Sequence, residues 1–193
     1  MVDKIGFGFE KSSLSEKQIQ EHLKLYNGYV SKIEEIRQSL EKADKNKANA
    51  SFSEFRELKI EEGFSQNGVK LHELYFENIA ENGKKTEQGR EIKRIIESDF
   101  GSIDNWKLDL TACGLSSRGW VLLVYDYKDK KLHHYVSDVH NQGGIWETRA
   151  LIVLDMYEHA FFIDFATDKK AYIEWFLNNI DWGVIENRTK DII

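Results

Sequence analysis

The chain reads as an α+β protein: an N-terminal helical lobe forming an antiparallel hairpin, then an α+β lobe with a small three-stranded antiparallel sheet. Three observations carry this. The first half holds two long stretches in which apolar residues recur every three or four positions. The second half holds three short runs rich in β-branched and aromatic residues. Between the halves lies a polar stretch, residues 83–89, that begins and ends in glycine. The first pattern is that of amphipathic helices, the second that of strands bounded by turns, the third that of a linker. The lobes are expected to divide as residues 1–85 and 86–193.

Each element has its own signal. In the first helix, from Ser15 to about Glu41, the apolar face is Ile19, Leu23, Tyr26, Val30, Ile33 and Ile36. Ser12, Ser13 and Ser15 offer N-caps, and Gln18 follows Ser15 as in a capping box. Gly28 interrupts the pattern at some cost. The polar stretch from Lys42 to Ala50 predicts a loop. A second helix is predicted from Phe52 to about Asn82, with Phe64, Leu71, Leu74, Tyr75 and Ile79 on its apolar face and a bend near Gly63 or Gly68. Glu91 to Phe100 reads as a short helix, and Ser102 caps another. Trp120 to Tyr125 is a strand, Tyr127 to Lys130 a turn, and Leu132 to Val136 its hairpin partner. The loop from Asp138 to Thr148 leads to a third strand, Ala150 to Leu154. A helix is expected directly after it, and another from Ala171 to Asn179.

Composition excludes several classes. The chain has 193 residues, 41% apolar and 31% charged, with a net charge of -6. That is ordinary for a globular protein. No Lys/Arg run stands out, which argues against a nucleic-acid partner. No apolar stretch reaches the roughly 18 residues of a membrane span. Residues Met1 to Phe7 lack the apolar segment of a signal peptide, which points to the cytoplasm. A single cysteine, Cys113, excludes an internal disulfide and a cysteine-rich metal site. The chain has no proline, and this has no functional account.

The chemistry concentrates in Asp155-Met156-Tyr157-Glu158-His159-Ala160-Phe161-Phe162, which follows the apolar run Leu151 to Leu154. A carboxylate and a histidine leaving a buried strand together can bind one first-row metal ion from a stiff base. Taken bare, an Asp four residues before a His is more often a surface Asp and a satisfied core His. Its context is different. The string closely resembles D-x-W-E-H-A-Y-Y, the signature of the iron/manganese superoxide dismutases, with Tyr157 for Trp and two Phe for two Tyr. Five more segments follow in that family's order. Asn67 to Phe76 resembles the helix carrying the second ligand His. Phe100 to Trp106 resembles F-G-S-F-x-x-F, Ser117 to Trp120 G-S-G-W, Asn141-Gln142 the N-Q of a loop, and Asn179 to Trp182 the closing V-N-W. Together they span nearly the whole chain.

The resemblance implies a superoxide dismutase working by ping-pong redox cycling of one manganese or iron ion per chain, held between the lobes. The implied metal ligands are His22, His72, Asp155 and His159. The first depends on how the first helix is aligned. An ungapped alignment on Lys24, Tyr29 and Val30 puts Glu21 at the ligand position, whereas His22 requires one deleted residue, absorbed by a one-residue bulge. His22 is preferred because a Glu would add negative charge to a site that admits an anion. Tyr29, or Tyr26 if the gap lies later, corresponds to the family's proton-relaying Tyr. Gln142 corresponds to a Gln that tunes the metal from outside the ligand shell. Gly68 stands where iron-type members carry theirs, so the Gly68/Gln142 pattern favours manganese. Trp120 and Trp182 are expected to wall the pocket. Glu158 implies a homodimer, or a dimer of dimers, by reaching the ligand His of a second copy. His133, His134 and His140 match no family ligand and are read as surface residues. The lost His-His pair of the first helix, Tyr157 and the altered ligand spacing motivate a second reading, a metalloprotein on this scaffold with weak or no dismutase activity. A metal-free interaction protein is a third.

Overall fold

The computed structural model describes residues 8–81, 89–190 and 192. Two long helices open it, α1 (Glu16–Lys42) and α2 (Glu54–Asn78), packed as an antiparallel hairpin. Ser15 caps α1 by accepting from the Gln18 amide, and Ser53 caps α2 by accepting from the Arg56 amide. These caps satisfy backbone donors that a helix start otherwise leaves open. α2 runs unbroken through Gly63 and Gly68 and ends four residues before the expected Asn82. The expected linker falls outside the described residues, apart from Gly89.

The second half holds α3 (Arg90–Phe100), α4 (Ile103–Ser116), β1 (Trp120–Asp126), β2 (Lys131–Ser137), β3 (Thr148–Asp155), α5 (Phe162–Phe165), α6 (Lys169–Asn178) and α7 (Trp182–Thr189). The strands form one antiparallel sheet in the order β2-β1-β3. The expected α+β architecture is present. In this register Trp120 lies opposite Asp155 on one side and Ser137 on the other. The end of the sheet where β1 begins is therefore where β3 delivers its carboxylate.

Two elements differ from expectation: α7 was not expected, and no full helix follows β3. The segment after Asp155 is a turn, a single 3-10 turn (Glu158–Ala160) and the four-residue α5. The Tyr157 amide donates to Asp155 Oδ1 at 3.0 Å. That local Asx turn competes with the helix a periodic apolar pattern suggests.

β3 is an edge strand, and its free edge is covered from α2 and α7. The Val153 amide donates to Asn78 Oδ1 at 2.6 Å. Arg188 donates to the Leu151 carbonyl (2.7 Å), to the Leu74 carbonyl (3.1 Å) and to Glu77 (2.7 Å). Leu151, Ile152, Val153 and Leu154 are buried. No helix of the described residues is long and apolar enough to cross a membrane.

Replacing Asn78 by Leu keeps the branched shape but orphans the buried Val153 amide. The expected cost is about 1–3 kcal/mol of folding stability. Denaturant unfolding checks it, and an unchanged midpoint would show that the edge is held without this bond.

Candidate metal centre

His22 lies on α1, His72 on α2, Asp155 at the end of β3 and His159 in the turn beyond it. One donor atom from each lies within 4.8 Å of all the others. The Asp155 Oδ2 atom is the hub: His22 Nε2 stands 3.1 Å from it, His159 Nε2 3.2 Å and His72 Nε2 3.7 Å. Donors about 2.0–2.2 Å from one ion and roughly 90–120° apart would stand about 3.0–3.7 Å from each other. All three separations fall in that window. The side chains of His22, His72 and Asp155 are fully buried, whereas that of His159 is 26% exposed.

The hydrogen bonding prepares the ligands. His72 Nδ1 lies 2.6 Å from the carbonyl of Gly68 one turn back. A carbonyl only accepts, so Nδ1 carries the proton and Nε2 presents its lone pair to the cluster. That Nε2 is buried and has no hydrogen-bond partner. An orphaned buried acceptor aimed at a carboxylate is costly unless a cation lies between them. The turn carrying His159 is pinned by buried Gln18, whose Nε2 donates to the His159 carbonyl at 2.6 Å and whose Oε1 accepts from Ile163. The Asp155 backbone carbonyl accepts from the Tyr172 hydroxyl at 2.8 Å, which lies 3.0 Å from the Tyr75 hydroxyl.

Glu21 is exposed and pairs loosely with Lys24, so His22 is the α1 residue at the cluster. No bulge is needed. α1 is a regular helix, and His22 and Tyr29, seven residues apart, share a face at almost two full turns. Tyr26 turns instead to Glu73, to which its hydroxyl donates at 2.9 Å.

The expectations for four residues are corrected. Gln142 is exposed, and its backbone bonds Val139 and Ser137. His140, read as a surface residue, is 4% exposed. Its Nδ1 accepts from the Trp120 indole at 2.9 Å, and its Nε2 lies 2.8 Å from the Tyr29 hydroxyl. The His134 side chain is buried as well. Trp182 packs on Trp106 instead of the cluster (centroids 5.6 Å apart). The walls are Trp120, edge-on to His72 at 5.1 Å, and Tyr157, stacked on His159 at 5.3 Å. Gly68 makes room: a Cβ there would meet the Tyr29 ring at 2.9 Å. A glutamine at this position would displace that ring.

Residues 87–188 match the model of the C-terminal domain of iron/manganese superoxide dismutases. A protein named superoxide dismutase [Fe] from Aquifex aeolicus is 40% identical over 179 residues, covering 91% of this chain and 84% of its own length. The chain belongs to the iron/manganese superoxide dismutase family. The like-named protein of Aquifex pyrophilus matches to the same extent. A superoxide dismutase [Mn] from Haloarcula marismortui is 36% identical over 115 residues, 60% of this chain and 56% of its own.

Sequence reasoning missed His140, Tyr157 as a wall, and Gln18. His140 stands two residues before Gln142, so a shift of two in the Asn-Gln match within a shortened loop would have found it. Gln18 showed only its capping-box position.

Burial pushes the imidazole of His72 down to about 3 and lowers that of His22. Burial also acts on His159, but the charge and hydrogen bond of Asp155 prevail and raise it. Burial alone would raise Asp155; His159 and His22 hold it well below the carboxylate range. For His22 and His72 the folded chain binds fewer protons than the unfolded one. Their contribution to stability is full above pH 6.5 and drains as the pH falls below it, for His72 toward about 3. His159 has the opposite sign: its contribution is full below 6.5 and drains above it. Metal-free protein should therefore lose thermal stability on acidification below pH 6.5, by at most about 1.4 kcal/mol per pH unit for each depressed histidine. His72→Gln should flatten that slope in calorimetry. An equally steep slope in the variant would assign it to other groups.

Proposed function

We propose that this chain disproportionates superoxide to dioxygen and hydrogen peroxide at one iron or manganese ion held by His22, His72, Asp155 and His159. The observation that carries the reading is the orphaned His72 Nε2, locked in its ligand tautomer and aimed with His22 and His159 at one buried carboxylate. A bound iron or manganese supplies one-electron chemistry, oxidising one superoxide and reducing the next. Three neutral imidazoles and one carboxylate leave net positive charge on a divalent or trivalent ion, which suits an anionic substrate.

The chain's own part is to hold a proton where peroxide needs it. The Trp120 indole can only donate, so Nδ1 of His140 is unprotonated. Burial lowers His140 further toward neutrality. The neutral ring then carries its proton on Nε2 and donates it to the Tyr29 oxygen. Tyr29 accepts there, so its own O–H is free to point elsewhere. The Tyr29 ring stands 5.6 Å from that of His72, and burial and Asp155 raise its phenol, so it keeps its proton at neutral pH. Tyr29 is thus a proton donor in waiting, and His140 and Trp120 are its positioning residues. The manganese preference rested on the Gln142 side chain; with that side chain exposed, the metal assignment is iron or manganese, one per chain.

Asp155→Ala is expected to abolish both stoichiometric metal and superoxide consumption. His140→Leu should keep the metal and lose at least about tenfold in turnover, as proton-transfer groups do. Metal analysis paired with a superoxide assay on iron-loaded and manganese-loaded protein checks both. Full metal with no turnover in either loaded form would favour the second reading, a metalloprotein without dismutase activity, which Tyr157 in place of Trp motivates.

The working unit in this reading is a homodimer. His159 is the one ligand left partly exposed, and its neighbour Glu158 is exposed too. Across a two-fold axis Glu158 would hydrogen-bond the free ring nitrogen of the partner's His159, fixing its tautomer. Glu158→Ala should weaken the dimer by about 2–5 kcal/mol, with monomer appearing in sedimentation at micromolar concentration. A wild-type protein that sediments as a fully active monomer would sink the idea.

A further inference from the structure

We propose that Asp109, Cys113 and His134 form a second metal site, for a thiophilic divalent cation of the zinc class. Asp109 and Cys113 lie four residues apart on α4, hence on one face of that helix. His134 lies on β2, the edge strand against which α4 packs. One donor atom from each residue lies within 4.8 Å of the other two. The three offer a thiolate, an imidazole and a carboxylate. A thiolate in the set favours zinc-like ions over magnesium, calcium or manganese. Three protein donors with solvent in the fourth position is a common zinc arrangement.

The site is anchored from inside and open from outside. The His134 side chain is 1% exposed and its ring packs against Phe100 at 5.0 Å and Trp106 at 6.2 Å. That holds the imidazole in one orientation, with Nδ1 2.6 Å from Asp109 Oδ2. Burial lowers the imidazole and keeps it neutral, the form a metal accepts. Asp109 is 53% exposed and Cys113 partly exposed, so an ion can enter without opening the core. The 2.6 Å contact is a hydrogen bond, shorter than the roughly 3.0–3.7 Å between two ligands of one ion. The exposed Asp109 is free to swing out by that difference. Burial and Asp109 raise the Cys113 thiol, so the free protein holds S–H. Binding replaces the S–H bond by a sulfur–metal bond and releases one proton to solvent; the proton that His134 Nδ1 shares with Asp109 passes to Nε2, which frees Nδ1 to take the ion, and no oxidation state changes. Thiolate and carboxylate together neutralise the divalent ion.

The test uses the protein with its iron or manganese in place, titrated with cobalt(II) and then zinc(II). Cobalt is expected to bind at one further equivalent per chain and give a thiolate-to-cobalt charge-transfer band. The histidine and carboxylate donors of the first centre cannot produce that band. Zinc should displace the cobalt, release about one proton per chain and protect Cys113 from alkylation. Cys113→Ser should remove the band and weaken binding by more than the roughly 10–100-fold that loss of an outer-shell partner costs. Asp109→Asn should weaken binding and keep the band. Asp109 is exposed and Cys113 partly so, so these variants stay informative even if His134→Asn unfolds. Absence of the band, or equal binding by Cys113→Ser, overturns the proposal.

Discussion

A buried carboxylate organises this molecule. Asp155 has no exposed side-chain surface, and an unpaired charge there would be costly enough to neutralise itself or unfold its surroundings. The protein answers by bringing a histidine from each of three segments to the same oxygen, two of them helical and more than eighty residues away in sequence. α1 and α2 must pair as a hairpin for His22 and His72 to arrive together. The sheet must take its β2-β1-β3 order for Trp120 to stand beside Asp155. The hairpin and the sheet meet at this atom and along the β3 edge, where Asn78 bonds the Val153 amide.

Around that atom the polar groups form a directed chain. Trp120 fixes His140, His140 orients Tyr29, and the Gly68 carbonyl fixes His72. Gly68 serves twice, by its carbonyl and by its missing side chain, which lets the Tyr29 ring lie against α2. A site of this kind depends on exact protonation, and the protons of His72 and His140 are placed by neighbours that can only accept or only donate, the Gly68 carbonyl and the Trp120 indole.

Much of this was legible in the residues. The long periodic stretches and the three apolar runs have one physical cause each, burial of one face, and they yielded the two long helices and the three strands within a few positions. The Asp155/His159 pair and His72 stood in segments with specific neighbours. The failures share a different cause. The helix expected after Asp155 yields to an Asx turn made by the same carboxylate, a contact that periodicity does not encode. Gln142 and His140 sit in a loop, where a shift of two residues swaps an exposed side chain for a buried one and no repeat marks the register. Trp120 and Trp182 look alike in sequence, and only packing separates a wall of the site from a lid over Trp106. His22 was ambiguous because a linear alignment counts residues, whereas a helix counts angles.

The depth of the donor set carries a consequence for metal identity. His22, His72 and Asp155 are closed off from solvent, and they come from segments that meet only when the hairpin has settled against β3. An ion seated there would leave only if that junction parted, an opening that draws on much of the molecule's global stability. Exchange with the surroundings would then be slow compared with folding. The ion a molecule carries would be a memory of the pool it met while closing, set once by history and thereafter insulated from thermodynamic preference.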